Sequence, residues 1–290
     1  MSCILDILLY LLAHLPIWAL RAISCLMAFI NCNIVRYRWK VVLDNLRNAF
    51  PDKNEKERKQ IAKKYYIQLC DYLLGMVRVR YNNAPILDKL IFHKNPELLQ
   101  SLYNQGKSVI LACGHYFTWE YTNTLPLASF YQVIAAYSPL SSKFSDKMMK
   151  RCRTKYGVVM FPKNDIYRAL VKYQQEKIQT MALMVADQSP TENNLDHWIT
   201  FMGQDTPVLI GVEHIAGKLK QAVVFLKVTQ PKRFVYEYEY VLISDGSTDE
   251  QPMAIMSRWY TELEKMIRQR PEMYLWSHRR WKHKDKKPKK

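Results

Sequence analysis

Apolar and polar positions divide the chain into stretches of different period. Residues 4–30, ILDILLYLLAHLPIWALRAISCLMAFI, are apolar on every side and broken only by Asp6, His14, Pro16 and Arg21. A helix needs about 20 apolar residues to cross a bilayer, so the length suits a membrane anchor over residues 1–31. The polar interruptions count against a clean span and fit a tilted span or a segment lying in the interface, with a buried helix of a soluble fold as the alternative. No basic start or small-residue cleavage site marks a removable signal, so the stretch is expected to be retained. Residues 54–81 repeat Ile61, Tyr65, Leu69, Tyr72 and Met76 at helical intervals and predict one long amphipathic helix. Asn95-Pro96 starts a short helix reaching Tyr103, and Asn104-Gln105-Gly106 turns the chain into an apolar run at 109–113. Further runs at 133–137, 158–161, 180–186 and 222–228 are interleaved with helical patterns at 143–155, 165–176, 208–218 and 253–268. FVYEYEYVLI, at 234–243, alternates strictly, as a half-exposed strand near a sheet edge does. The alternation predicts an α/β domain over 32–282, helices flanking a central, mostly mixed sheet.

Composition supports a sizeable core, because 49% of the 290 residues are hydrophobic and 12% aromatic, which excludes general disorder. The formal charge of +17 implies an anionic partner: nucleic acid, an acidic membrane surface or a phosphorylated substrate. Arg36, Arg38, Lys40 and Arg47 follow the anchor stretch directly, which by the positive-inside bias puts the rest of the chain on the cytoplasmic side. The chain ends RRWKHKDKKPKK, in which eight of twelve residues are Lys or Arg, and 283–290 reads as a solvated basic tail. No helix-turn-helix, zinc-finger or RNA-recognition signature accompanies these charges, so nucleic acid is not expected and a membrane surface is the better partner. Cys3, Cys25, Cys32, Cys70, Cys113 and Cys152 show no pairing pattern and read as free thiols of a reducing compartment. The histidines lack metal spacing, so no metal or cofactor is expected.

Candidate chemistry gathers in KSVILACGHYFTWEY, where His115 follows the apolar run and Glu120 stands five residues on. Residues five apart on one helix are rotated by about 140°, so contact requires His115 in the turn after the strand and Glu120 in the first helical turn. The carboxylate could then hold one imidazole nitrogen while the other faces a substrate hydroxyl. A turn histidine with purely structural bonds is the bland alternative. Cys113 as a nucleophile is the rival enzyme reading, disfavoured by its apolar surroundings. Asp187 and Gln188 close the run before them at a strand end, where α/β sites commonly lie; bonding the backbone of the next loop is the alternative role. In FMGQDTPVLIG, Gly203 predicts a tight turn, and Thr206-Pro207 the start of the following helix.

A hydrophobic N-terminal segment, then YRWKVVLDNLRNAFP, GHYFTWE, VADQSP, TFMGQDTPVLIG and YLWSHRRWK, occur in this order over nearly the whole chain. The series resembles the lipid A late acyltransferases, the lauroyl and myristoyl transferase branch of the lysophospholipid acyltransferase superfamily. The resemblance implies a glycerol-3-phosphate acyltransferase-like fold on the cytoplasmic face of the bacterial inner membrane. It implies acyl transfer from an acyl carrier protein thioester, or less often coenzyme A, to a hydroxyl of an anionic lipid A precursor, without a cofactor or covalent acyl-enzyme. A lysophospholipid or aminolipid acceptor is the alternative, and a basic scaffold binding anionic lipid is the non-enzymatic one. In this reading His115 is the general base and Glu120 orients it. Arg153 and Arg168 fall where the family places basic residues near the acceptor and oxyanion, although the strand end that usually carries one reads Met160-Phe161-Pro162 here, with Lys163 next. Asp187 followed by a polar residue matches the family, and Thr206 lies in a loop implied to border the site.

Overall fold

The apolar runs assemble, in a computed structural model, into one seven-stranded mixed sheet. Residues 2–139, 142–247 and 250–288 are described. In chain order the strands are β1 (Ile91–His93), β2 (Val109–Cys113), β3 (Gln132–Tyr137), β4 (Val159–Pro162), β5 (Thr180–Val185), β6 (Trp198–Phe201), β7 (Gln204–Pro207), β8 (Ala222–Lys232) and β9 (Val235–Ser244). The sheet runs β1-β9-β8-β2-β5-β3-β4, and β6 pairs with β7 apart from it. The helices are α1 (Ser2–Ala13), α2 (Ile17–Ile30), α3 (Trp39–Ala49), α4 (Glu55–Tyr81), α5 (Ala84–Leu87), α6 (Glu97–Asn104), α7 (Lys143–Arg153), α8 (Ile166–Gln175), α9 (Gly211–Leu219) and α10 (Ala254–Gln269).

β2 lies parallel to both β5 and β8 at the centre, and all five of its residues are buried. A strand covered on both faces has to be apolar throughout, which is why VILAC does not alternate. β9, one strand from the edge, does alternate: Tyr236, Tyr238 and Tyr240 are buried between the partly exposed Glu237 and Glu239. The long predicted helix is α4, begun by a reciprocal capping box between Asn54 and Glu57 and burying Tyr65, Tyr66, Cys70 and Tyr72.

The structure departs from the apolar and polar pattern, or adds to it, at four places. The N-terminal apolar stretch is two helices, because Pro16 has no N–H to continue α1 and instead caps the start of α2. Residues 198–207 form a hairpin, with Met202 and Gly203 both left-handed (φ 52° and 74°) at its turn. Thr206-Pro207 therefore ends β7, and the helix starts only at Gly211. β1 escapes periodicity because it has three residues and is recruited by the parallel pairing of Ile91 with Tyr236. Part of the predicted tail is tied down: His283 is buried, Lys286 reaches Glu192 and Lys287 reaches Asp205, each at 2.7 Å, while 289–290 lie outside the described residues.

Candidate active site

The end of β2 is held by α10. The Trp259 Nε1–H donates to the Ala112 carbonyl at 3.1 Å, and the Tyr260 hydroxyl to the Ala186 carbonyl at 3.2 Å, so one helix fixes the ends of two neighbouring strands. A Cβ on Gly114 would lie 2.6 Å from Leu263 Cδ1, so any larger residue where the chain passes beneath α10 would have to displace that side chain. One residue later His115 leaves the sheet. The parallel register pairs Cys113 with Val185 and brings the next strand out beside it, and Ala186 N–H donates to the Cys113 carbonyl at 3.2 Å. Asp187 is thereby set against His115.

Asp187 grips His115 twice. Oδ1 lies 2.6 Å from the ring Nδ1, and Oδ2 accepts from the His115 backbone N–H at 2.9 Å. Burial alone would raise the Asp187 carboxyl pKa, but the adjacent His115 ring and these bonds, with Arg280 beyond, outweigh it and hold the group at about 2. An ionised carboxylate only accepts, so Nδ1 carries a proton, and in the neutral ring it is Nε2 that presents the lone pair. The Gln188 amide nitrogen stands 3.0 Å from that Nε2 and donates to it; Gln188 itself is exposed. Trp119 packs on the ring with centroids 5.1 Å apart.

Glu120 sits in the first turn of the 3-10 helix Trp119–Leu127, as expected, but its carboxylate is taken by Arg153. Arg153 Nε donates to Oε2 at 2.7 Å and Nη2 to Oε1, a two-pronged grip on a buried carboxylate. The expected His115–Glu120 contact is thus replaced by two pairs, His115–Asp187 and Glu120–Arg153. Between the histidine and the glutamate, Thr118 takes φ 140°, a strained value for a β-branched residue, and its carbonyl accepts from Tyr121 N–H at 2.7 Å.

Of the other predicted residues, Arg168 is not brought to His115: its side chain is 87% exposed on α8, with Asp165 3.8 Å away. Thr206 is completely buried; its hydroxyl donates to the Gln204 carbonyl at 2.8 Å and accepts from Trp281 Nε1 at 2.9 Å, which removes it as a substrate contact. Cys113 is buried, and burial pushes its thiol pKa up, with the charges of Asp187 and Glu120 adding to the effect, so it stays protonated and is no nucleophile.

A C-terminal strap completes the site. Tyr116 bridges Tyr274 in antiparallel fashion, Leu275 N–H donates to the His115 carbonyl at 2.9 Å, and Phe117 N–H to that of Met273 at 2.8 Å. Arg280 is buried, donating to the Tyr260 hydroxyl at 2.9 Å and the Pro207 carbonyl at 3.2 Å. The Ser189 hydroxyl donates to the Arg280 carbonyl at 2.6 Å and its N–H to His278 Nε2 at 3.2 Å. The loop carrying Asp187 and Gln188 is therefore clamped by SHRR, whose charges look like tail charges in the bare sequence.

His278 accepts a hydrogen bond at Nε2 and is neutral in the fold. Burial pushes its pKa down to about 4; the Asp187 charge opposes this, and Arg280 and His115 reinforce it. A histidine depressed by folding contributes stability that is complete above the unfolded value near 6.5 and is lost as pH falls toward 4. Unfolding free energy should drop by about 2 kcal/mol over that window, discounted for the partly exposed ring, and His278→Gln should flatten the dependence in urea melts.

Residues 3–283 match the family described as bacterial lipid A biosynthesis acyltransferase. The chain is also similar to the lipid A biosynthesis acyltransferase of Haemophilus influenzae, 19% identical over 233 residues, covering 80% of this chain and 72% of that protein.

Proposed function

As this chain belongs to the bacterial lipid A biosynthesis acyltransferase family and is an acyltransferase, we propose that it transfers a fatty acyl group from an acyl carrier protein thioester to a hydroxyl of an anionic lipid A precursor. The observation that carries the reading is the outward nitrogen of His115, made a proton acceptor by Asp187 and covered by the amide of the exposed Gln188. The acceptor hydroxyl displaces that amide and bonds Nε2. As its oxygen attacks the thioester carbonyl, Nε2 takes the proton, and the ionised Asp187 stabilises the imidazolium. The tetrahedral intermediate collapses with cleavage of the carbon–sulfur bond, and the leaving thiolate recovers the proton from Nε2–H. Such general-base assistance is worth about 10²–10⁴-fold.

Gln188 and Arg153 are the substrate contacts in this mechanism, and Glu120 holds Arg153 so that its partly exposed guanidinium can meet an anionic group of acceptor or carrier. An acidic carrier suits a chain of net charge +17. Placement at the cytoplasmic face of the inner membrane is supported by the apolar helix over Ile17–Val35 and by the basic residues that follow it, which match the anionic headgroups of the cytoplasmic leaflet. The test is purified protein with labelled acyl carrier protein thioester, or acyl coenzyme A, and a lipid A precursor in mixed micelles. The precursor should gain the mass of one acyl group, faster from the carrier, and His115→Ala should abolish the gain. Equal transfer by His115→Ala, or none to any precursor, overturns the proposal.

A further inference from the structure

The geometry points to α1 and α2 lying in the plane of one leaflet, parallel to the bilayer surface, rather than crossing it; this rests on the membrane placement proposed above. α1, α2 and the turn after them are fastened to the catalytic domain at their start, middle and end. Near the start, Asp6 of α1 accepts from the Tyr81 hydroxyl at 2.7 Å and pairs with Arg80 at 3.2 Å. In the middle, Leu20 is buried with Leu74 and Phe234, and the Ser24 hydroxyl donates to the Ile67 carbonyl at 3.4 Å. Arg233, at the β8–β9 turn, donates to Ser24 Oγ at 3.0 Å while pairing with the wholly buried Asp71 at 2.5 Å. At the far end the Tyr66 hydroxyl donates to the Tyr37 carbonyl at 2.5 Å.

These fastenings run along α4 from Tyr66 to Tyr81, about 22 Å of helix. The hydrocarbon core is about 30 Å thick, so α2 could cross it only by drawing α4, Asp71, Arg233 and the adjoining sheet edge into lipid with it. Lying flat requires none of this. The distribution of side chains around α2 agrees. At about 100° per residue, Leu26 and Phe29 point about 140–160° away from Ser24, opposite the docked face, while Arg21 lies only about 60° from it, at the flank. Ile4, Leu8, Leu11, Trp18, Leu26 and Phe29 are 57–73% exposed and extend the apolar surface over both helices. A lipid leaflet is the occupant rather than a second copy, because exposed Arg21, Arg36 and Lys40 border the surface; they match anionic headgroups and would repel their own kind.

Trp18 and Phe29 share the outward face and are 11 residues apart, about 16 Å along the axis. The full chain carrying Cys3→Ser, Cys25→Ser and Cys32→Ala, with either Trp18→Cys or Phe29→Cys labelled with bimane, should be bound to phosphatidylethanolamine–phosphatidylglycerol vesicles. Lipids brominated at defined depths should quench the two positions at the same shallow depth. A helix over Ile17–Val35 crossing the bilayer would put Trp18 about 12 Å and Phe29 about 4–5 Å from the midplane, so clearly different depths, with Phe29 deep, would overturn the inference while membrane binding stands. Binding without quenching at either position assigns the face to a second copy and also overturns it. Protein left in the supernatant removes the membrane reading itself and this placement with it.

Discussion

Asp187→Asn is expected to lower kcat by about 10³–10⁴-fold with the fold intact, the scale seen when a histidine base loses the carboxylate that sets its tautomer. Asp187 accepts from both the His115 backbone N–H and ring Nδ1. Asparagine has one acceptor; if its carbonyl keeps the backbone N–H, its amide faces Nδ1 with a donor. The ring proton then moves to Nε2, and the nitrogen facing substrate donates where it must accept. Because the Asp187 carboxyl is held at about 2, its stabilising charge is complete above its unfolded value near 3.8 and is lost only as pH falls through about 2. An acid limb in the rate profile nearer neutrality therefore belongs to another group. Initial rates at saturating acceptor, beside a thermal melt of the same preparation, decide the matter. A variant within tenfold of wild type, set against a thousandfold loss in Glu120→Gln, would return the orienting role to Glu120.

That substitution separates what the sequence can show from what needs the fold. The position of His115 is legible because five consecutive apolar residues mark a strand buried on both faces and glycine marks its end. Glu120 in the first turn after it is legible for the same local reason, and the long helix α4 is announced by its period. The partner of His115 is not local. Asp187 is 72 residues away and arrives only because β2 and β5 are neighbours, and no property of either stretch states strand order. H-x4-E suggested the nearer carboxylate, whereas Arg153, from a helix more than thirty residues downstream, had already claimed it. Arg280 was hidden differently. A full charge is seldom buried, so an arginine in a run of basic residues is read as solvated, and only the aromatic and hydroxyl partners folded round it show otherwise. The break at Pro16 was visible as a polar interruption, but the docking of both resulting helices on α4 depends on Arg80, Asp71 and Arg233, which belong to distant segments.

Arg153→Met should cost about 3 kcal/mol of stability, the low end for a broken buried pair because the guanidinium is 27% exposed. The loss comes less from the missing attraction than from the Glu120 carboxylate left buried without its partner. Glu120→Leu combined with Arg153→Met removes both charges and should recover most of that cost, giving a coupling energy of about 2 kcal/mol in a double-mutant cycle read by urea denaturation. The recovered protein separates two roles for Glu120. If the carboxylate acts by presenting Arg153 to an anionic substrate, the double variant keeps a working His115–Asp187 pair, so its KM for donor or acceptor rises about tenfold or more while kcat stays within a few-fold. If Glu120 instead steadies the base during proton transfer, restoring stability cannot restore turnover, and kcat remains as low as in Glu120→Leu alone. A stable double variant with normal KM and depressed kcat would therefore mean that the crossed pairing of two carboxylates with one histidine and one arginine rearranges when substrate binds.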